Sequence, residues 1–89
     1  MFENPDQQSR ENLKEAFLEV VENQLKADDP KITRQTLVRL TSEGISKKDA
    51  KKLIAQCVVT EIYEMQKRNE LFNLKRYTRL LMNLPKKPS

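Results

Sequence analysis

The chain has 89 residues, of which 37% are hydrophobic and 34% charged, and its net charge at pH 7 is +4. This balance belongs to globular rather than disordered chains, and the length suits one domain with a modest core. One glycine, one cysteine and no histidine exclude a hairpin-rich β fold, an intrachain disulfide and the glycine-rich phosphate loops, and they argue against zinc.

The helices follow in chain order. "NPDQ" opens the first, with Asn4 as cap and Pro5 at the first helical position. Leu13, Ala16, Phe17, Val20, Val21 and Gln24 recur at steps of three and four and form its inner face, opposite Glu11, Glu15, Glu19 and Glu22. Pro30 disfavours helical geometry at Asp29, so this helix covers roughly residues 5–27. Asp29-Pro30 repeats the cap-plus-proline pattern and starts a second helix, 30–43. It has a thin apolar side of Leu37 and Leu40 among Thr33, Thr36 and Thr41.

Gly44 suits the left-handed position just past that helix, with Ile45 packing back on the last turn. Ser46 and Asp49 resemble a capping box with Asp in place of Glu. The third helix, 47–68, carries the clearest stripe: Ala50, Leu53, Ile54, Cys57, Val58, Ile62 and Met65. Asn73 caps a fourth helix, 74–84, bearing Leu74, Tyr77, Leu80, Leu81 and Leu84. Pro85 ends it, and residues 85–89 read as a short flexible tail. The expectation is an all-α, compact bundle of four helices with antiparallel neighbours, forming one domain over 1–89. Leu18, Leu25, Ala55 and Val59 fall outside the main stripes and are candidates for further contacts or a dimer face.

Charge is split along the chain. Residues 1–30 carry eight acids and three bases, whereas residues 31–89 carry five acids and fourteen bases. Such asymmetry implies either pairing of the acidic first helix with basic ones or an acidic partner. No run is apolar enough to span a membrane, and the N-terminus has no basic-then-apolar signal pattern, so the cytoplasm is the expected compartment.

Few residues point to catalysis. The commonest general base is missing with histidine, Cys57 lies in an apolar stripe, and no G-x-S-x-G elbow occurs. The expectation is no enzyme, no catalytic residue, no cofactor and no metal. Glu61 is the odd residue, because 100° per residue places it in the middle of the Ala50–Met65 stripe. A carboxylate there needs a partner, and Tyr77, Arg76 or a helix N-terminus could supply one. The alternative is a ligand or interface contact.

The other candidate is the basic cluster Lys47, Lys48, Lys51 and Lys52. Cations in a helix's first turn oppose its macrodipole, so Lys47 and Lys48 do not help the helix start, and the cluster is a solvated face, is paired with the first-helix acids, or is kept for a partner. Residues 40–54 also match the spacing of a helix-turn-helix, though Leu40 is large for its place and the third helix is long for recognition. Lysines there would grip phosphates with little sequence readout, joined by Lys75, Arg76 and Arg79.

The segments "LKEAFLEVVENQL", "DP", "EGISKKDAKKLIA", "EIYEM", "FNLKRY" and "LPKKP" together resemble small single-domain bacterial proteins of unknown function. The resemblance implies an all-helical cytoplasmic protein and supplies no activity or site. In proteins of that look the second helix and the "EGIS" turn read as more acidic, whereas here "KKDAKK" follows. The expected function is protein–protein association, including self-association, with weak nucleic-acid binding as the alternative.

Overall fold

The computed structural model describes residues 5–86, with side chains from residue 14 onward. The expected Asn4 cap, the Leu13 core position and residues 87–89 of the tail lie outside the described residues. Among the described residues there are four helices: α1 (Pro5–Ala27), α2 (Lys31–Ser42), α3 (Lys47–Arg68) and α4 (Leu74–Met82). None of the described helices is long and apolar enough to cross a membrane.

Three helices end by turning one residue into the left-handed region. After α1 that residue is Asp28 (φ 52°), and the Asp29 amide donates back to the Gln24 carbonyl at 3.1 Å. After α2 it is Gly44 (φ 93°); the Ile45 amide reaches the Leu40 carbonyl and the Gly44 amide reaches Thr41, both at 3.1 Å. This pair of bonds is the Schellman stop expected from "EGIS". After α3 it is Asn69 (φ 52°), with the Glu70 amide on the Met65 carbonyl at 2.9 Å.

Helix starts differ from expectation in one place. Asp29 does not cap α2: Pro30 occupies that position and no side chain caps the helix. Both aspartates belong to the end of α1 instead, since Asp29 closes its last turn and the Asp28 carboxylate faces Arg34 at 3.2 Å. Ser46 caps α3 by accepting from the Asp49 amide at 3.1 Å, and Asn73 caps α4 by accepting from the Arg76 amide at 3.0 Å. The last helix stops at Met82 rather than 84. A turn over 83–86 follows, closed by the Lys86 amide on the Asn83 carbonyl, and Leu84 reaches the core from it.

The central element is α3, which packs against each of the other three. Val21, Leu25, Leu37, Leu40, Ile54, Cys57, Tyr77 and Leu81 are among the residues that close the core. Of the residues expected to make further contacts or a dimer face, Leu25 and Ala55 are core residues, while Ala16 and Leu74, expected on inner faces, are exposed. The reason is that α1 packs on both α2 and α3, which turns its buried arc toward Val21 and Leu25 and covers the Ala55 side of α3. Buried threonines on α2 are satisfied: Thr36 donates to the Ile32 carbonyl at 2.7 Å and Thr33 to Gln24 Oε1 at 2.8 Å. The Tyr77 hydroxyl joins the same Gln24 oxygen at 2.9 Å, linking α4 to α1.

A Cβ built at Gly44 meets nothing within 4 Å, so the backbone alone resists substitution there. Gly44→Ala should destabilise by about 1–2 kcal/mol, the cost of a left-handed residue with a Cβ. Gly44→Asn should cost less, because Asn tolerates this region better. Urea denaturation of the three proteins checks both values.

Candidate interaction surfaces

Glu61 is 1% exposed and fully engaged. Its Oε1 accepts from Arg76 Nε at 2.6 Å, and its Oε2 accepts from Arg76 Nη2 at 3.0 Å and from the Asn73 amide at 2.9 Å. Two of the three partners considered from sequence, Arg76 and a helix N-terminus, thus bind it together. The third, Tyr77, bonds to Gln24 instead. The carboxylate holds the Arg76 guanidinium above its ordinary pKa, and Glu70 adds to this from 3.9 Å. A forked arginine and a cap amide take three of the carboxylate's roughly four lone-pair sites, leaving little capacity for a ligand.

The opposite end of α4 is held from α2. Arg39 donates to the Leu81 carbonyl at 3.0 Å and to the Leu84 carbonyl at 2.9 Å, with Glu43 beside it at 3.2 Å. Arg34 does the same for α1, donating to the Leu25 carbonyl. Neither arginine was singled out from sequence.

The four lysines separate in role. Lys51 pairs with Glu22 of α1, and this hydrogen bond is the main reason the Glu22 pKa is lowered. Lys47 and Lys48 are exposed. Lys52 borders a groove between α1 and α3 of about 380 Å³, which is also lined by Lys14, Phe17, Leu18, Ala55, Gln56 and Val59. Of the apolar residues set aside from sequence, three line this groove, and Val59 is 42% exposed. Tyr63, also exposed, follows one turn after Val59. Leu74 and Met82 on α4 are also exposed, as is Leu71 in the loop before it.

Cys57 is buried in the core, and burial alone pushes its thiol up to about 12. Burial likewise pushes the Tyr77 hydroxyl up to about 12. Among the described residues no group of three or more His, Cys, Asp or Glu side chains is placed to hold a metal ion.

Compared with known families, with curated proteins and with solved structures, the chain finds no match.

Glu61→Ala should destabilise the fold by at least about 1–3 kcal/mol, the penalty for the Asn73 amide left without its acceptor. Glu61→Gln should cost less and still fall below wild type in thermal melts. Native protein at pH 8 should resist alkylation at Cys57, because the thiolate is scarcely populated and the sulfur is covered. In denaturing urea the same reagent should label it fully, as mass spectrometry reads directly.

Proposed function

We propose that the chain is a non-enzymatic cytoplasmic protein of bacterial type that acts by protein–protein association, and that its α1–α3 groove receives a second copy of itself. The observation that carries this is the groove: half-buried Phe17 and Leu18 and exposed Val59 line it, with buried Ala55 beneath them. Lys14 of α1 and Lys52 of α3 line it, and acids lie farther around α1. At 100° per residue, Glu15 and Glu19 follow Leu18 around α1, and both are exposed; on α3, Lys52 lies within about 20° of Val59, two turns before it.

A two-fold axis along the groove carries the α1 flank of one copy onto the α3 flank of the other. Floor then meets floor, and acids meet lysines on both sides. Lys14, at the end of the floor, lies beside the acids of its own helix. The protonated, buried Cys57 offers no nucleophile, and a lone unpaired cysteine fits a reducing compartment. Phosphate binding is the weaker reading, since Lys51 and Arg76 are committed to Glu22 and Glu61.

Light scattering from low micromolar to near-millimolar concentration tests the proposal. Wild type should pass from monomer to dimer. Val59→Asp, at an exposed helical position, should stay monomeric with an unchanged melting temperature. Lys52→Glu should weaken the dimer by about fivefold, as for two symmetry-related exposed pairs of about 0.5 kcal/mol each, and Glu19→Lys in the same chain should restore it. A monomer throughout the range for wild type overturns the reading.

A further inference from the structure

The outer side of α4 has features that the fold does not use. Leu71, Leu74 and Met82 are 86%, 51% and 69% exposed. Leu74, Thr78 and Met82 stand four residues apart and form one row along the helix; Lys75 and Arg79 form the adjacent row. Together these five residues border a shallow recess of about 430 Å³. Lys75 lies in the first turn, where no acid is present and where a cation opposes the helix dipole, so its charge does not serve α4 itself.

We propose that this face docks an acidic amphipathic helix of another protein, which lays an apolar row on Leu74, Thr78 and Met82 and a carboxylate row on Lys75 and Arg79. This goes beyond self-association through the α1–α3 groove and needs a different partner. The nearest acid in sequence, Glu70, faces Arg76 at 3.9 Å, so the rows themselves carry one sign of charge. A second copy of α4 would set cation against cation, which disfavours this face as a homodimer contact. A phosphate backbone would satisfy the two cations and leave Leu74 and Met82 wet. A helix with parallel rows of leucine and glutamate covers both rows at once.

Fluorescence anisotropy with the full chain tests this. The probe is a labelled helical peptide carrying leucine and glutamate rows at four-residue spacing. The control has lysine at each glutamate. The acidic peptide should bind and the control should not. Lys75→Glu with Arg79→Glu should weaken binding by about tenfold or more, as for loss of two facing charge pairs. Met82→Asp should weaken it as well, and Val59→Asp should leave it unchanged. All these positions are exposed, and matching circular-dichroism melts confirm that the variants fold. Co-sedimentation with phosphatidylserine vesicles and titration with single-stranded RNA run in parallel. Binding to either without binding to the acidic peptide overturns the proposal, and so does acidic-peptide binding that the double charge reversal leaves unaltered.

Discussion

The contact between Glu61 and the start of α4 is the one on which the rest of the bundle depends. A helix of nine residues is too short to persist in water by itself. Glu61 gives it an anion at its N-terminus, where the free amides and the positive end of the dipole lie, and Arg39 gives it a cation at the other end. Both groups come from other helices, so forming α4 and packing it are one event. The buried carboxylate would be unfavourable if it were unpaired, which makes the arrangement selective for one position of α4 over α3. Tyr77, Leu81 and Leu84 close the core only when that position is reached.

The same economy explains how so short a chain maintains a core. With α3 in contact with three neighbours, a modest number of apolar side chains are shared among several interfaces. The uneven charge along the chain resolves partly inward: Glu22 of the acidic first helix meets Lys51 of the basic third. What is left is distributed by surface. Lysines line the α1–α3 groove with acids farther around α1, and a single sign lies along the outer rows of α4. Mixed flanks suit like meeting like, whereas a single sign calls for a different molecule.

Much of this was legible in the residues. Gly44, Ser46 and Asn73 mark their turns because each residue type has a local backbone reason to be there, and the helix limits follow to within two residues. Glu61 betrayed itself by polarity in an apolar stripe, and Arg76 was within reach one helix later. Other features leave no mark in residue type. Arg34 and Arg39 bond to backbone carbonyls of distant helices, which any sequence provides, so nothing local distinguishes them from surface arginines. Asp28 and Asn69 adopt positive φ without being glycine. Whether Leu25 and Ala55 face inward depends on how α1 is rotated against α2 and α3, a tertiary quantity that periodicity on one helix does not contain. Periodicity placed Gln24 on the inner face without revealing what it binds.

That glutamine carries a further consequence. Its Oε1 accepts from Thr33 of α2 and Tyr77 of α4 while belonging to α1, so a single oxygen with two lone pairs senses three helices. A slip of any one of them by a turn would strand a hydroxyl in the interior, at about 1–3 kcal/mol for each. Leucines can interdigitate in many ways with similar energy, and a purely aliphatic core of this size would admit several near-equal packings. Gln24 works as a checksum: the helices agree on their registers, or the error is felt at once at a single atom.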